Sequence, residues 1–152
     1  MVSFEELKVL GEKWAKEYCE VLNNSPEYNE AASGWGIDFE GAMLVVMTAS
    51  GEIDFDIRCF LDLKDGKCLG IKILDPDEDP PRETGMTLRA PLYIWRKMAF
   101  KEINPIQALM SGDLELEGDM SLVMKYSKAA MMLADLTEKT DRTLFTQFDL
   151  GD

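Results

Sequence analysis

Between Ile103 and Met120 this chain reads Ile-Asn-Pro-Ile-Gln-Ala-Leu-Met-Ser-Gly-Asp-Leu-Glu-Leu-Glu-Gly-Asp-Met, and that one run spells out three kinds of local structure. Pro105 suits the first position of a helical turn, where its missing N–H has no partner to lose. Leu114 and Leu116 alternate with Asp113, Glu115 and Glu117, which is the period of a half-buried strand. Gly118-Asp119 then makes a corner, with Asp119 placed to cap a following helix. That helix, about Met120 to Leu136, carries two apolar stripes. One is Met120, Val123, Met124, Ser127, Met131 and Ala134; the other is Leu122, Tyr126, Ala129, Leu133 and Leu136. A helix apolar over so much of its circumference must be covered on more than one side. A sheet can cover one side, and the tail (Leu144, Phe145, Phe148, Leu150) or a bound ligand the other.

The sheet is legible upstream. In 35–47 the odd positions are Trp35, Ile37, Phe39, Gly41, Met43, Val45 and Met47; in 53–63 they are Ile53, Phe55, Ile57, Cys59, Leu61 and Leu63. Glu52, Asp54, Asp56 and Arg58 fall between, so one face meets a core and the other water. Odd residues of both strands share a face only if opposite partners sum to an even number. A three-residue loop at Ala49-Ser50-Gly51 satisfies this, with glycine where a left-handed conformation is needed. By the same logic Lys64-Asp65-Gly66 would pair Leu61 with Leu69 and Ile57 with Ile73. Cys59 and Cys68 would then lie on opposite faces, which excludes a disulfide between them. A strand around Met86–Ala90 and a helix from Pro91 to about Lys101 follow.

At the start, Ser3 and Glu6 form a capping box for a helix whose inner face is Phe4, Leu7, Leu10, Trp14, Tyr18 and Val21, ending near Asn23-Asn24. Ser25-Pro26 opens a further short turn, stopped at Ser33-Gly34. Residues 75–84 are acidic and Pro-rich. Asp75, Asp77 and Asp79 imitate the opening of a calcium loop, but Pro80 stands where that loop needs glycine and Met86 where it needs glutamate. A solvated acidic connector is the better reading.

A length of 152 residues predicts one domain over 1–152. The net charge of −13 argues against nucleic acid and against adsorption to anionic membranes. No apolar run approaches the roughly 18 residues that span a bilayer, so no stable membrane insertion is expected. The acidic, polar N-terminus is unlike a signal peptide, and a cytoplasmic location is the expectation. The chain has no histidine, which removes the commonest general base and metal ligand. Cys19, Cys59 and Cys68 match neither a disulfide framework nor a zinc site, and reduced, buried thiols are expected. Phosphate-binding glycine loops, metalloprotease helices and nucleophile elbows are missing. No catalytic residue, metal ligand or cofactor is therefore assigned. Of the 10 methionines, Met98, Met110, Met120, Met124, Met131 and Met132 fall at or beyond residue 98. Flexible thioethers fill irregular core gaps, and as a group they suit an adaptable apolar pocket.

The run "NPxxAxMSGxLxLxGDM" in Asn104–Met120, with the apolar helix before it and the long one after it, resembles the end of a sterol-carrier-protein-2 domain over residues 92–136. None of the matching residues performs chemistry. The resemblance implies an α+β fold: a mainly antiparallel five-stranded sheet with helices packed on one face and an apolar cavity between. It implies binding or transfer of a fatty acyl chain, a sterol or another lipid, without cofactor or catalysis. Trp95, Met98, Met110, Leu116, Met120, Met124 and Met131 are the residues expected to line such a cavity, with Met47 and Phe55 from the sheet floor. The competing reading is a protein–protein interaction module or homodimer with a filled core and no ligand. Neither the tail after Thr140 nor the loop 75–84 belongs to the family pattern.

Overall fold

The computed structural model describes residues 2–152. Helix α1 (Phe4–Asn23) begins as its sequence requires, with the Ser3 hydroxyl accepting from the Glu6 amide and the Glu6 carboxylate reaching back to the Ser3 amide. A short α2 (Pro26–Ala31) follows, capped by Ser25. Strands β1 (Met43–Thr48), β2 (Ile57–Lys64), β3 (Lys67–Leu74), β4 (Met86–Pro91) and β5 (Glu115–Glu117) form one sheet in the order β3-β2-β1-β4-β5. All neighbours are antiparallel except β1 and β4, which run parallel, with Met43 opposite Met86 and Met47 opposite Ala90. The remaining helices are α3 (Leu92–Ala99), α4 (Pro105–Ser111), α5 (Met120–Lys125), α6 (Ser127–Asp135), a 3-10 turn (Leu136–Lys139) and α7 (Thr143–Thr146). The sheet presents Met43, Val45, Met47, Cys59, Leu61 and Leu63 to the main core. Helix α1 lies across β3, with Gly11 facing Ile73 so closely that a Cβ there would stand 3.2 Å from the Ile73 side chain.

Several expectations are corrected. Trp35–Ala42 is not strand: Gly34 and Gly36 have φ of 92° and 80°, and the Trp35 indole donates to the Gly41 carbonyl, closing a loop. A Cβ on Gly41 would come within 2.7 Å of the Leu63 carbonyl, so only glycine lets this loop pass over β2. The β1–β2 pairing keeps the even sum, since Met47 faces Ile57 and Met43 faces Leu61, but the connection runs over residues 49–56 rather than through a three-residue loop. The β2–β3 turn has two residues, Asp65 and Gly66, both with positive φ, the geometry whose twist matches the flanking strands. A shift in register between Asp62 and Leu63 then resets the faces: Leu61 pairs with Ile71, Leu63 with Cys68, and Leu69 is the extra residue, 61% exposed. Cys59 and Cys68 therefore join the same core cluster instead of opposite faces. Cys68 is bonded to Cys19 of α1, so the expectation of three reduced thiols holds for Cys59 alone.

The acidic stretch 75–84 is largely exposed, as a solvated connector should be, and it is also anchored. The Arg58 guanidinium donates to the carbonyls of Asp75, Pro76 and Glu78, and Arg82 pairs with both Glu40 and Asp62. These contacts hold the segment against the sheet face opposite the main core, beside the small cluster of Ala42, Phe60 and Leu74. The final helix is also not continuous. It breaks at Tyr126 (φ −105°, ψ 32°) into α5 and α6.

The tail docks, as its four large apolar residues require. Phe145 and Leu150 are buried, and Leu144 and Phe148 are partly so. It does not lie along the last helix. Phe145 meets Trp14 of α1 edge-on, with ring centroids 5.9 Å apart. The 49–56 connection clasps the end: Ser50 Oγ donates to the Leu150 carbonyl, and the Glu52 amide donates to the Asp149 carbonyl at 2.7 Å. This is why the connection is longer than a hairpin loop needs to be.

Candidate functional site

Under the sheet, between its core face and the helices, lies an apolar pocket of about 160 Å³. Met43, Met47 and Leu61 form its floor, α1 and α2 contribute aromatic rings, and α6 closes it with Ala130, Leu133 and Ala134. No Lys, Arg, Asp or Glu is on its wall. All three tryptophans are, and each indole N–H is held by protein: Trp14 donates to Thr140 Oγ1, Trp35 to the Gly41 carbonyl, and Trp95 to the carbonyls of Val46 and Ala90. Tyr18 donates to the Leu133 carbonyl, and Thr137 donates to Ala99 and Ala134. These bonds satisfy the three indoles and the Tyr18 and Thr137 hydroxyls, so the wall offers mostly carbon.

Burial sets the protonation states here. It pushes the Tyr18 phenol well above its ordinary value, and takes the Tyr28 phenol and the Cys59 thiol each to about 12. All three stay neutral at physiological pH, so Cys59 is not a thiolate nucleophile. Among the described residues no cluster of His, Cys, Asp or Glu could hold a metal ion. A second apolar space of about 30 Å³ adjoins the first, sharing Trp14, Met47, Cys59 and Phe145 with it.

Of the residues expected on a cavity wall, Met47, Trp95 and Met98 border the pocket. Phe55 instead packs edge-on against Phe4, at 5.7 Å between ring centroids. Leu116 is half-buried on β5 opposite Leu88. Met110, Met120 and Met124 are 74%, 39% and 44% exposed, and Met131 is half-buried off the wall. The reason is rotational. The stripe that faces the pocket is Val123, Tyr126, Ala130, Leu133 and Thr137, which draws on both sequence stripes and turns the methionine-rich edge outward. Tyr18, Tyr28 and Trp35 were not singled out for the pocket. The available signal was the concentration of rings on the inner face of α1 and just after it.

The sequence matches the family model of the SCP-2 sterol transfer family over residues 44–131. Comparison with curated proteins gives no match. Among solved structures, a crystal structure of sterol carrier protein 2 is similar at 30% identity, covering 86% of this chain and 97% of that one, with a TM-score of 0.73. The solution structure of a conserved hypothetical protein from Thermus thermophilus is similar at 30% identity over 84% of this chain and 86% of that one, TM-score 0.71. The apo sterol carrier protein 2 of Yarrowia lipolytica, at 16% identity over 86% of this chain and 96% of that one, shares the fold with a TM-score of 0.53. Strands β2 to β5, helices α3 to α5 and the Asn104–Met120 run fall inside the matched residues, and the chain belongs to the SCP-2 sterol transfer family.

Proposed function

We propose that this protein binds and carries an apolar ligand, a lipid or the apolar part of one, in the pocket between sheet and helices, without performing chemistry on it. The observation that carries this reading is a wall of carbon whose indole and hydroxyl groups are almost all bonded to protein, with no charge among its residues. Such a surface rewards burial of hydrocarbon at roughly 25 cal/mol per Å² and offers a reacting group almost nothing. Family membership supports the same reading.

The pocket is small for that task. A cavity of about 150 Å³ holds a single benzene ring, and sites for larger molecules run from about 300 Å³. A long chain must therefore widen it, and the joint at Tyr126 between α5 and α6 is where the cover can give. Because Trp14, Trp35 and Trp95 all border the pocket, their emission reports occupancy directly. Titration with medium-chain alcohols, fatty acids and sterols should shift or quench that emission and saturate near one site per chain. No change with any of them would reject the carrier reading and leave a protein whose core is filled.

A further inference from the structure

The two edges of the sheet are finished differently. At β3, Asn23 of α1 takes both the amide and the carbonyl of Cys68, and the Cys19–Cys68 bond holds the helix there. At the other edge, β5 pairs with β4 on one side and has no strand on the other. Successive residues of an antiparallel strand turn their N–H and C=O to alternate sides, so β4 takes one set and the other set points away from the sheet. Among the described residues β4 is the one element that packs extensively on β5, and no backbone bond from a turn, loop or cap reaches Glu115, Leu116 or Glu117.

The side chains around this edge are of two kinds. Leu116 is half-buried opposite Leu88 on the core side, which leaves Glu115 and Glu117 exposed on the outer face. Between Ile103 and Met124 the chain has four carboxylates, Asp113, Glu115, Glu117 and Asp119, and no lysine or arginine. Arg89 stands opposite Glu115 in the ladder, but neither glutamate is in an ion pair among the described residues. Met110 precedes the strand, and Met120 and Met124 follow it one turn apart on α5; all three are exposed. An edge defended only against aggregation needs shortness and charge, which β5 has. It has no use for exposed methionines, whose flexible thioethers suit adaptable contact with apolar side chains.

We propose that the free edge of β5 docks an extended basic segment of a partner protein, alternating lysine or arginine with apolar residues, which adds to the sheet as a further strand. This goes beyond the carrier reading and holds whatever fills the pocket. The cations of the incoming strand stand beside Glu115 and Glu117, the apolar residue between them beside Leu116, and the methionines meet the apolar residues further along. A second copy of this chain is a poor occupant. Antiparallel pairing about Leu116 sets Glu115 against Glu117 twice, and like charges directly opposite destabilise a ladder. A lipid surface is disfavoured as well, because these carboxylates would be pressed into it without cations.

The test uses a short labelled peptide that alternates lysine with valine, and a second of the same charge in which proline replaces the central valines and removes the N–H groups that pair with an edge. The first should bind the unaltered protein at one site per chain and slow amide hydrogen exchange at 115–117. The second should bind about tenfold more weakly or worse, through the loss of ladder hydrogen bonds. Glu115→Gln combined with Glu117→Gln keeps the strand and removes its charge. It should weaken the first peptide about three- to tenfold, the worth of two cross-strand charge pairs, with the melting temperature unchanged. Equal binding of the two peptides would reduce the attraction to net charge and overturn the proposal. So would an unchanged affinity in the double variant, exchange at 115–117 that the peptide does not slow, or no binding at all. Binding to phosphatidylcholine vesicles that Met120→Ser with Met124→Ser abolishes, without binding of the peptide, would make this edge a membrane contact and overturn the proposal too. None of these outcomes bears on the pocket, whose occupancy is read separately by tryptophan emission.

Discussion

Cys68 is held to α1 three times over. Its sulfur is bonded to Cys19, its amide donates to Asn23 Oδ1 at 2.8 Å, and its carbonyl accepts from Asn23 Nδ2 at 2.9 Å. β3 is an edge strand, and α1 covers it at this point instead of leaving its backbone groups to another chain. The cross-link spans 49 residues, for which chain entropy predicts about 4 kcal/mol of stabilisation as an upper figure. Thiol titration of the denatured, unreduced protein should find one free thiol per chain, that of Cys59. Reduction should raise the count to three and lower the melting temperature. A count of three before reduction would show that the bond does not form, and Asn23 alone would then join helix to strand.

At the scale of elements, the tail decides how much apolar space the protein encloses. Phe145 is 4% exposed and stands on the boundary of both the larger and the smaller space. Replacing it with alanine should cost about 3–5 kcal/mol, because a buried ring is lost and a void remains. The same change joins the two spaces, so Phe145→Ala should take a longer alcohol with less loss than the unaltered protein does. Removing residues 140–152 should lower the melting temperature more than that one change, since Leu150 and the bonds to Ser50 and Glu52 go as well. Unchanged stability after truncation would mean that the tail is a detachable lid. The joint at Tyr126 belongs to this scale too: its ring packs edge-on against Trp35, with ring centroids 5.2 Å apart.

Across the whole molecule, acidity sets the response to pH. Glu40 is lowered from 4.5 chiefly by the Ala42 amide, Glu78 by Lys72, and Glu138 by Lys101; Asp119 and Asp141 are lowered by the hydroxyls of Ser121 and Thr143. A carboxylate lowered in the folded state contributes stability that is fully present above its unfolded value and is lost as pH falls through the folded one. All five lie at the surface, where each such contact is small and salt-screened. Thermal melts should therefore be flat from neutral pH to about pH 5 and fall below about pH 4, with high salt softening the fall. A midpoint that drops between pH 7 and 5 would contradict this, because none of these carboxylates titrates there and the chain has no histidine.

Local physics left clear marks in the chain. The capping box at Ser3, the Pro105 start, the alternation of β2 and the cap at Asp119 each depend on a few adjacent residues, and each stands in the structure where those residues predict it. So do the α+β class and the family, carried by the run from Asn104 to Met120. The partners were another matter. A period of two says which residues share a face, but one extra residue, Leu69, moved Cys68 into the core beside Cys59 and within reach of Cys19. A period of 3.6 says which residues share a stripe, but the break at Tyr126 and the neighbours of α6 decided that Leu133 and Ala134 face the pocket while Met120 and Met124 face water. The pocket is the space left between elements far apart in the chain. Its wall depends on how helices and sheet settle against one another, and spacing along one element cannot supply that.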